Sequence, residues 1–235
     1  ICTTRCSTTC KVSHRSISVV FCMKSFGFLG PIGTYSSVAL DTYINQTVIA
    51  ERVAYPTIAS LYNALQKKEV QGIIVPIENS IEGPVNISLD LLRESRGFYI
   101  QCEVILPIHN CLMAQSRIPL NTITHIWSHP QPLAQCRTFI QNNCPLAVMQ
   151  AVNSSAAAAE IIMKAKLEEP FAFIGHPNLA DIHSLHILES SINDYDDNQT
   201  SFFLITAEET EPSGCQKTSI LFTTERNEPG SLNRI

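Results

Sequence analysis

The sequence lacks any long apolar run. Its strongest apolar stretches, residues 73–77 and 171–174, are far shorter than the roughly 20 residues that a membrane-spanning helix requires. We therefore expect no membrane span. Hydrophobic residues still make up 45% of the 235-residue chain, which is enough for a sizeable buried core, so we expect a folded globular protein and not a disordered one.

Basic residues are in the minority. The chain has 16 Lys and Arg against 21 Asp and Glu, which gives a formal net charge of −5. From Asp41 onward the two signs are interspersed, so no long basic surface is offered to a phosphate backbone. The composition therefore argues against nucleic acid as a partner.

Acidic residues are absent from residues 1–22. This segment holds four of the nine cysteines and many Ser and Thr residues. It ends directly before Met23 and shows no core pattern, so we interpret it as a non-core N-terminal segment. Two alternatives stay open. One is an organelle transit peptide, since such peptides are basic, Ser-rich and poor in acids. The other is a metal site formed by Cys2, Cys6 and Cys10.

A C-x-x-C pair and a regular ladder of cysteines are also missing. The remaining five cysteines are scattered along the chain: Cys102, Cys111, Cys136, Cys144 and Cys215. This pattern argues against a disulfide scaffold and favours a reducing cytoplasm, with organelle targeting by residues 1–22 as the minor alternative.

Signatures of a bound cofactor are lacking as well. Gly30 and Gly33 do not form a G-x-G-x-x-G loop, so they are a weak indication of a nucleotide and a tight turn explains them equally well. His176, His183 and His186 could suggest a metal, but histidines at such spacing are usually structural. We therefore expect neither a cofactor nor a metal.

Short apolar runs alternate with helical patterns, which indicates an α/β fold with largely parallel sheets. The first set has strands at 26–29, 72–75 and 99–106 and a helix from Thr34. A second helix carries an apolar stripe at Ile58, Leu61, Tyr62 and Leu65. A third helix has Pro84 in its first turn and Val85, Leu89 and Leu92 on its inner face. The second set comprises strands at 122–127, 147–149 and 171–174, helices from Pro130 and Ser154, and a further strand at 201–206. These two sets predict two α/β lobes.

Four loop segments each follow a predicted strand and precede or open a helix, the place where α/β proteins bind ligands. They are GPIGTYS (30–36), VPIENSIEG (75–83), SHPQPLAQ (128–135) and NQTSF (198–202). Exposed helix N-termini favour anions through their free N–H groups and the helix macrodipole. Four such loops converging on one cleft would suit a small di-anion.

Each segment also has a purely structural interpretation. Ser128 and Gln131 match the S-x-x-Q capping box, which makes Ser128 a candidate helix N-cap. Glu78 and Asn79 can simply bond the loop backbone, and Thr200 fits an ordinary β-branched strand residue. The residues alone thus predict a two-lobed α/β binder of a small anion and go no further.

The four segments resemble the motifs of one known family, the prephenate dehydratases. GPIGTYS resembles the first family motif, residues 75–83 are close to the motif VPIENSxEG, and residues 128–135 resemble SHPQxLxQ. Residues 198–202 stand where the family has its Thr-Arg-Phe motif. Beyond them, residues 218–232 resemble the start of the ACT-type regulatory domain, which binds phenylalanine in this family.

The resemblance implies a two-lobed, periplasmic-binding-protein-like α/β catalytic domain over residues 23–209, followed by the truncated start of an α+β ACT-type domain at residues 215–235. Lobe 1 would span about 25–104 plus 195–209, and lobe 2 about 105–194. The chain would cross between the lobes twice, with the active site between them.

The implied function is that of a lyase in phenylalanine biosynthesis, which converts prephenate to phenylpyruvate with loss of water and carbon dioxide. No cofactor and no metal is implied, and the small-molecule substrate is prephenate. Phenylalanine would be an effector only if the regulatory domain were complete. The resemblance further implies a homodimer for the full-length protein.

Residue roles follow from the resemblance alone. Thr200 matches the family's essential threonine, which would hydrogen-bond to the departing ring hydroxyl. Glu78, if buried and protonated, is the alternative proton source. The residues implied in substrate binding are Asn79, Ser128, Gln135, Gly30, Thr34, Ser36, Ser201 and Phe202.

Two departures from the family pattern keep alternatives open. Ser201 replaces the arginine of the Thr-Arg-Phe motif, and Asn153 stands where some members have an acid. A related enzyme could dehydrate arogenate, and a degenerate member could be a non-catalytic sensor of aromatic amino or keto acids. Thr200 and Glu78 favour an enzyme, whereas Ser201 favours the sensor.

Overall fold

The computed structural model describes residues 24–47, 50–167 and 169–209, and the single residues 217 and 220. The predicted N-terminal segment of residues 1–22 lies outside the described residues. The same holds for the ACT-type fragment at 215–235, apart from those two positions.

The first lobe is built on a six-stranded sheet with the order β2-β1-β3-β11-β5 and with β4 paired to β3. Its elements are β1 (Lys24–Leu29), α1 (Tyr35–Thr47), β2 (Ala50–Tyr55), α2 (Ile58–Gln66), β3 (Gly72–Asn79), β4 (Gly83–Pro84), α3 (Asn86–Glu94), β5 (Tyr99–Pro107) and β11 (Gln199–Thr206).

The second lobe is built on a five-stranded sheet with the order β10-β6-β9-β7-β8. Its elements are β6 (Cys111–Ala114), a 3-10 turn (Leu120–Thr122), β7 (His125–Ser128), α4 (Pro130–Gln135), α5 (Arg137–Asn143), β8 (Val148–Ala151), α6 (Ser155–Lys164), β9 (Phe171–Gly175), α7 (Asn178–His183) and β10 (His186–Glu189).

The chain crosses between the lobes twice, at residues 108–110 and 190–198. The predicted α/β fold of two lobes crossed twice is therefore confirmed. Strand β5 continues to Pro107, so the first crossing comes a few residues after the predicted lobe boundary at 104. Because β11 returns from the second lobe into the first sheet, both crossings lie beside the last strand of lobe 1.

Both sheets are mixed, and the prediction of largely parallel sheets is wrong at β6 and β11, the strands with which the chain enters lobe 2 and re-enters lobe 1. β11 runs antiparallel to both β3 and β5, and β6 runs antiparallel to β9 and β10. The pairs β1–β2, β1–β3, β7–β8 and β7–β9 are parallel. A strand that re-enters a sheet from another lobe need not follow a right-handed helical crossover, so the βαβ rule does not fix its direction.

Helix α2 follows its sequence pattern closely. Thr57 accepts a hydrogen bond from the backbone N–H of Ser60, and the Ser60 hydroxyl accepts one from the N–H of Thr57, which forms a capping box. The predicted stripe is buried at Leu61, Tyr62 and Leu65. Each fully buried leucine contributes about 1.5–3 kcal/mol relative to an exposed one, so this stripe fixes α2 against the sheet.

Helix α3 differs from its prediction. It begins at Asn86, so Pro84 lies in β4 and not in the first helical turn. Leu89, which was expected to face inward, is exposed, whereas Leu91 and Leu92 pack against the core. The inward face of α3 is therefore rotated relative to the predicted one.

Ser88 occupies the buried position of α3. Its side chain is fully buried, and its carbonyl oxygen accepts a hydrogen bond from the Tyr62 hydroxyl at 3.0 Å. A tyrosine hydroxyl that is buried needs such a partner. A small residue thus takes the inward position, which a purely apolar pattern does not predict.

Among the described residues, no helix has the length and apolar character to cross a bilayer.

Candidate active site

A cavity of about 250 Å³ lies between the two lobes. All four segments singled out in the sequence contribute to its wall. Lobe 1 supplies Gly30, Thr34, Ser36, Pro76, Asn79, Thr200 and Phe202, and the second lobe supplies His129, Gln135, Ser155 and His176, among others. The cavity therefore collects loops that are more than a hundred residues apart in the chain.

A β-bulge in β3 decides which side chains face this cleft. Pro76 pairs with Phe202 and Asn79 pairs with Thr200, so Ile77 and Glu78 together oppose the single residue Ser201. Without this extra residue in β3, the alternation of a regular strand would place Glu78 on the same face as Pro76, which is the face toward the cleft. The bulge instead places Asn79 on the cleft side.

Thr200 and Asn79 form a buried pair on the wall of the cleft. The Asn79 amide, at Nδ2, donates to Thr200 Oγ1 at 2.9 Å. Since Oγ1 accepts this hydrogen bond, and no acceptor for the hydroxyl proton is found among the described residues, the O–H of Thr200 is available to a ligand. Asn79 is held in turn because its Oδ1 accepts from the backbone N–H groups of Ile81 and Glu82, both at 3.0 Å.

Gln135 and Asn198 connect the two lobes beneath the cavity. Asn198 Nδ2 donates to Gln135 Oε1 at 3.0 Å, and Asn198 Oδ1 accepts from Asn79 Nδ2 at 2.8 Å. Gln135 is 6% exposed and lines the cavity. Its Nε2 is buried and has no hydrogen-bond partner within the described part of the chain. A buried donor without a partner is costly, so a bound ligand is the natural acceptor.

Ser128 lies beneath the cleft surface and does not line it. Its hydroxyl donates to the carbonyl oxygen of Ile174 at 2.6 Å and lies 3.1 Å from Ser155 Oγ. The candidate role of Ser128 as helix N-cap is wrong, because His129 caps α4 by accepting from the Gln131 N–H at Nδ1. Ser128 instead holds Ser155, which opens α6 and lines the cavity.

Glu78 and Ser201 lie on the opposite side of the ladder from the cleft. Neither lines the cavity, and Glu78 is exposed, so the condition of burial attached to its role as proton source is not met. Ser201 Oγ donates to Glu103 Oε1 at 2.6 Å. Hydrogen bonds from Lys217 and then from Ser201 lower the pKa of the Glu103 carboxyl.

The GPIGTYS loop brings lobe 1 against lobe 2 at the rim of the cleft. Gly33 adopts φ +92°, and a Cβ there would lie 2.3 Å from Leu179 Cδ2 on α7. Tyr35 stacks edge-on against His176 of the second lobe, with ring centroids 5.1 Å apart. Burial, as the largest cause, raises the pKa of the Tyr35 hydroxyl. The hydroxyl is therefore neutral, and it reaches the His109 carbonyl oxygen at 3.0 Å.

The described residues that line the cavity include no Lys, Arg, Asp or Glu. Burial lowers the pKa of both His129 and His176, which favours their neutral forms at pH 7. Helices α1 and α6 begin at the cavity wall, and their first turns offer backbone N–H groups to anions. The first turn of α4 offers none, because Pro130 and Pro132 lack an N–H group and the Gln131 N–H is donated to His129. No cluster of three or more metal-binding side chains occurs among the described residues. The site therefore provides neutral hydrogen-bond donors and helix dipoles.

The cleft residues that were not assigned a role from the sequence include Tyr35, His129 and Ser155, and Asn198 lies just beneath the cavity wall. Tyr35, His129 and Asn198 lie within the singled-out segments, so motif membership alone could have suggested them. Ser155 opens a helix that the sequence predicted, which was the available signal for it.

The prephenate dehydratase family matches residues 26–210, a range that includes every residue of the cleft described above. The prephenate dehydratase of Lactococcus lactis subsp. lactis (strain IL1403) is 34% identical over 211 residues, which cover 88% of this chain and 73% of that protein. The chain belongs to the prephenate dehydratase family. The resemblance inferred from four sequence motifs is thereby confirmed.

Two further members of the prephenate dehydratase family are similar to most of this chain. The bifunctional chorismate mutase/prephenate dehydratase of Pseudomonas aeruginosa is 36% identical over 208 residues; the match covers 88% of this chain and 55% of that protein. The chain thus spans about half the length of that relative. The crystal structure of the Arthrobacter aurescens prephenate dehydratase in complex with L-Phe has a TM-score of 0.74 at 26% identity, covering 89% of this chain and 69% of that one.

Proposed function

We propose that the chain converts prephenate to phenylpyruvate, with loss of water and carbon dioxide, in phenylalanine biosynthesis. The observation that carries this proposal is the Asn79–Thr200 pair. It presents a hydroxyl donor to a cavity that is wide enough for a small ring and is lined by neutral donors. Membership of the family supports the reaction, and the pair supplies the group that the reaction needs.

Binding of prephenate would use the neutral donors of the cleft. Prephenate carries two carboxylates, and helix N-termini stabilise carboxylates without a cationic side chain. The unpartnered Nε2 of Gln135 supplies a further donor. Two lobes that hold the ring from both sides would also fix its orientation, and this positioning accounts for a large part of catalysis in reactions that need no added reagent.

The chemical step requires one proton. The ring hydroxyl leaves with its bonding electrons, and the bond between the ring and its carboxylate breaks to release carbon dioxide. The electrons of that bond complete the aromatic ring, so the prephenate di-anion plus one proton gives the phenylpyruvate anion, water and carbon dioxide. A hydrogen bond from Thr200 Oγ1 to the departing oxygen would stabilise the developing hydroxide, which takes its proton from solvent water. Assistance to a leaving oxygen in the transition state is typically worth about 10² to 10⁴ in rate.

Asn79 would make Thr200 a better donor. A hydroxyl that accepts a hydrogen bond is polarised and donates more strongly, since chains of hydrogen bonds reinforce one another. The 2.9 Å bond from Asn79 Nδ2 also restricts the direction of the Thr200 proton, because it occupies one lone pair of Oγ1. We therefore assign Thr200 as the catalytic donor and Asn79 as the residue that orients it.

Prephenate is favoured over arogenate by the charges of the cleft. Arogenate carries an ammonium group where prephenate has a keto oxygen. The described lining residues include no Asp or Glu that could pair with an ammonium group, and an unpaired charge in a partly buried site is costly. The neutral donors of the site suit the keto acid.

The test is a direct assay of the purified chain with each substrate. We expect phenylpyruvate to form from prephenate and to be detected by its absorbance in alkali, with a kcat/KM at least about tenfold above that for phenylalanine formation from arogenate. Equal or higher efficiency with arogenate would reverse the substrate assignment. Binding of phenylpyruvate without turnover of either substrate would favour the sensor.

We also propose a reducing compartment, the cytoplasm, for this enzyme. Cys102, Cys111, Cys136 and Cys144 are free thiols in the described part of the chain. Burial, the largest cause, raises the pKa of Cys136 to about 12, so this thiol stays protonated and unreactive. Fractionation of source cells followed by immunodetection tests the compartment.

A further inference from the structure

The amide groups below the cleft form a directional chain that starts at a turn in lobe 1. Asn79 Oδ1 accepts from the backbone N–H groups of Ile81 and Glu82, both at 3.0 Å. Backbone N–H groups can only donate, so they fix which end of the Asn79 amide is oxygen. Its Nδ2 must therefore face the other way, toward Thr200, Asn198 and the Gln199 carbonyl oxygen.

The direction passes from Asn79 through Asn198 to Gln135. Asn198 Oδ1 accepts from Asn79 at 2.8 Å, so Asn198 Nδ2 points to the second lobe. There it donates to Gln135 Oε1 at 3.0 Å. The oxygen of Gln135 is thus occupied, and its Nε2 is the end that remains without a partner among the described residues.

We propose that Asn198 is a positioning residue that sets the hydrogen-bond polarity of the cleft, so that Gln135 presents an N–H donor to a carboxylate or keto oxygen of the substrate. This inference rests on the proposed function for the identity of the substrate. Asn198 is 2% exposed and does not line the cavity, so it acts on the ligand through Gln135 and not by contact.

The opposite polarity is disfavoured by the Asn79 amide, the fixed donor on one side of Asn198. If its amide were reversed, its NH₂ would face the NH₂ of Asn79, and two buried donors would oppose each other. Gln135 would then have to donate to Asn198 and would turn its carbonyl oxygen to the cleft, where it would repel a carboxylate. A turn in lobe 1 thereby dictates the chemistry that lobe 2 offers to the ligand.

The test is a double-mutant cycle on ligand affinity, with phenylpyruvate as the probe in titration calorimetry. We expect Asn198→Ala to weaken the Kd by about tenfold, because one buried hydrogen bond is worth roughly that factor. Gln135→Ala should weaken it by at least as much. The variant with both changes should bind within about twofold of Gln135→Ala, because Asn198 acts through Gln135.

Asn193→Ala is the matched control. Asn193 lies on the same crossing and accepts from the Asn110 backbone N–H at 2.7 Å, but it is outside the amide chain and the cavity wall. It should lower the melting temperature and leave the Kd within about twofold of wild type.

Two results would overturn the proposal: multiplied losses in the double variant, near a hundredfold, or an unchanged Kd in Asn198→Ala. If Asn198→Ala does not fold, the isosteric Asn198→Asp replaces it, since an aspartate cannot donate to Gln135. Its loss should shrink in the Gln135→Ala background, and a loss that persists in full would equally refute the role. The cycle measures binding, so it stands apart from the turnover assay that tests the proposed function.

Discussion

The two faces of the β3–β11 ladder differ in what they offer a ligand. On the cleft face, Asn79 and Thr200 are register partners joined by a 2.9 Å hydrogen bond and buried at the cavity wall. On the outer face, Glu78 and Ser201 are also register partners, yet neither lines the cavity. The four residues come from the same two motifs. The difference teaches that the face a side chain occupies decides its role, and that motif membership does not.

A single extra residue in β3 separates these faces. The bulge at Ile77 shifts the alternation of β3 just before its end, so the amide of Asn79 enters the cleft and the carboxylate of Glu78 leaves it. A cleft that held the carboxylate would repel a di-anion. The bulge therefore keeps the charge of the motif away from the substrate.

The largest effect is expected on the cleft face, at Thr200. Thr200→Val keeps the shape and β-branching of the side chain and removes the hydroxyl, so we expect kcat to fall by about 10² to 10⁴ with KM largely kept. Initial rates of phenylpyruvate formation measure this. Thr200→Ser restores a hydroxyl and should be clearly more active than the valine variant. Wild-type turnover in Thr200→Val would remove Thr200 from the mechanism.

The next largest effect is expected at the rim, at Gly33. Gly33→Ala would force a Cβ against the Leu179 side chain at a positive φ, so the contact between the lobes would have to widen and kcat/KM should fall by at least about tenfold. Gly97→Ala is the matched control, because Gly97 also has a positive φ but no described atom lies within 4 Å of the place its Cβ would take. If the two variants lose activity equally, backbone strain and not the contact between lobes is responsible.

Lowering the pH should destabilise the protein through the two histidines of the cleft face. Burial lowers the pKa of His129 and His176 on the cleft side. Because the unfolded chain takes up these protons first, the free energy of unfolding should fall as the pH drops below about 6.5, the ordinary histidine pKa. Urea unfolding at several pH values measures the slope. His129→Gln and His176→Gln together should flatten it, and an unchanged slope would contradict the assignment.

A smaller effect is expected on the outer face, at Ser201. Its hydrogen bond helps to lower the pKa of Glu103, after the larger contribution of Lys217. A carboxyl group whose pKa is lower in the folded state than in the unfolded chain stabilises the fold at any pH above its unfolded pKa. This stabilisation is lost as the pH falls through the folded pKa. Ser201→Ala should raise the pKa of Glu103 in an NMR titration and reduce stability at neutral pH by about 0.2–1 kcal/mol. A large loss of kcat would show that Ser201 reaches the cleft.

The smallest effect is expected at Glu78. Glu78→Gln changes an exposed side chain that does not line the cavity, so kcat and KM should stay within about twofold of wild type. Steady-state kinetics across pH 5 to 9 is the check. A lost limb of the pH profile would restore Glu78 as a proton source.

Sequence periodicity predicted much of the fold and only part of the site. The strands and helices with a clear apolar pattern, such as α2, were found because local pattern and tertiary packing agree there. The direction of β11 was not predictable, since it depends on where the chain returns from the second lobe. Ser88 on α3 and the bulge at Ile77 were missed for a similar reason: each departs from strict periodicity to satisfy a partner distant in sequence.

Position 201 shows why the site could be predicted only in part from the sequence. From the sequence alone, the replacement of the family arginine by Ser201 favoured a non-catalytic sensor, because the motif does not say which face of the strand this residue occupies. In the structure Ser201 faces Glu103 on the outer side and does not line the cavity. Only the register of β11 against β3 reveals this, and register depends on the bulge.

Strand β11 has a consequence for how the protein is made. It fills the gap between β3 and β5, and its Thr200 meets Asn79 across 121 residues of chain. Until the ribosome has delivered this strand, β3 and β5 present open edges, which are prone to mispairing. The Thr200 hydroxyl, which we assign to catalysis, therefore reaches its place only when β11 pairs with β3 and β5. A nascent chain with an incomplete first sheet has no working site.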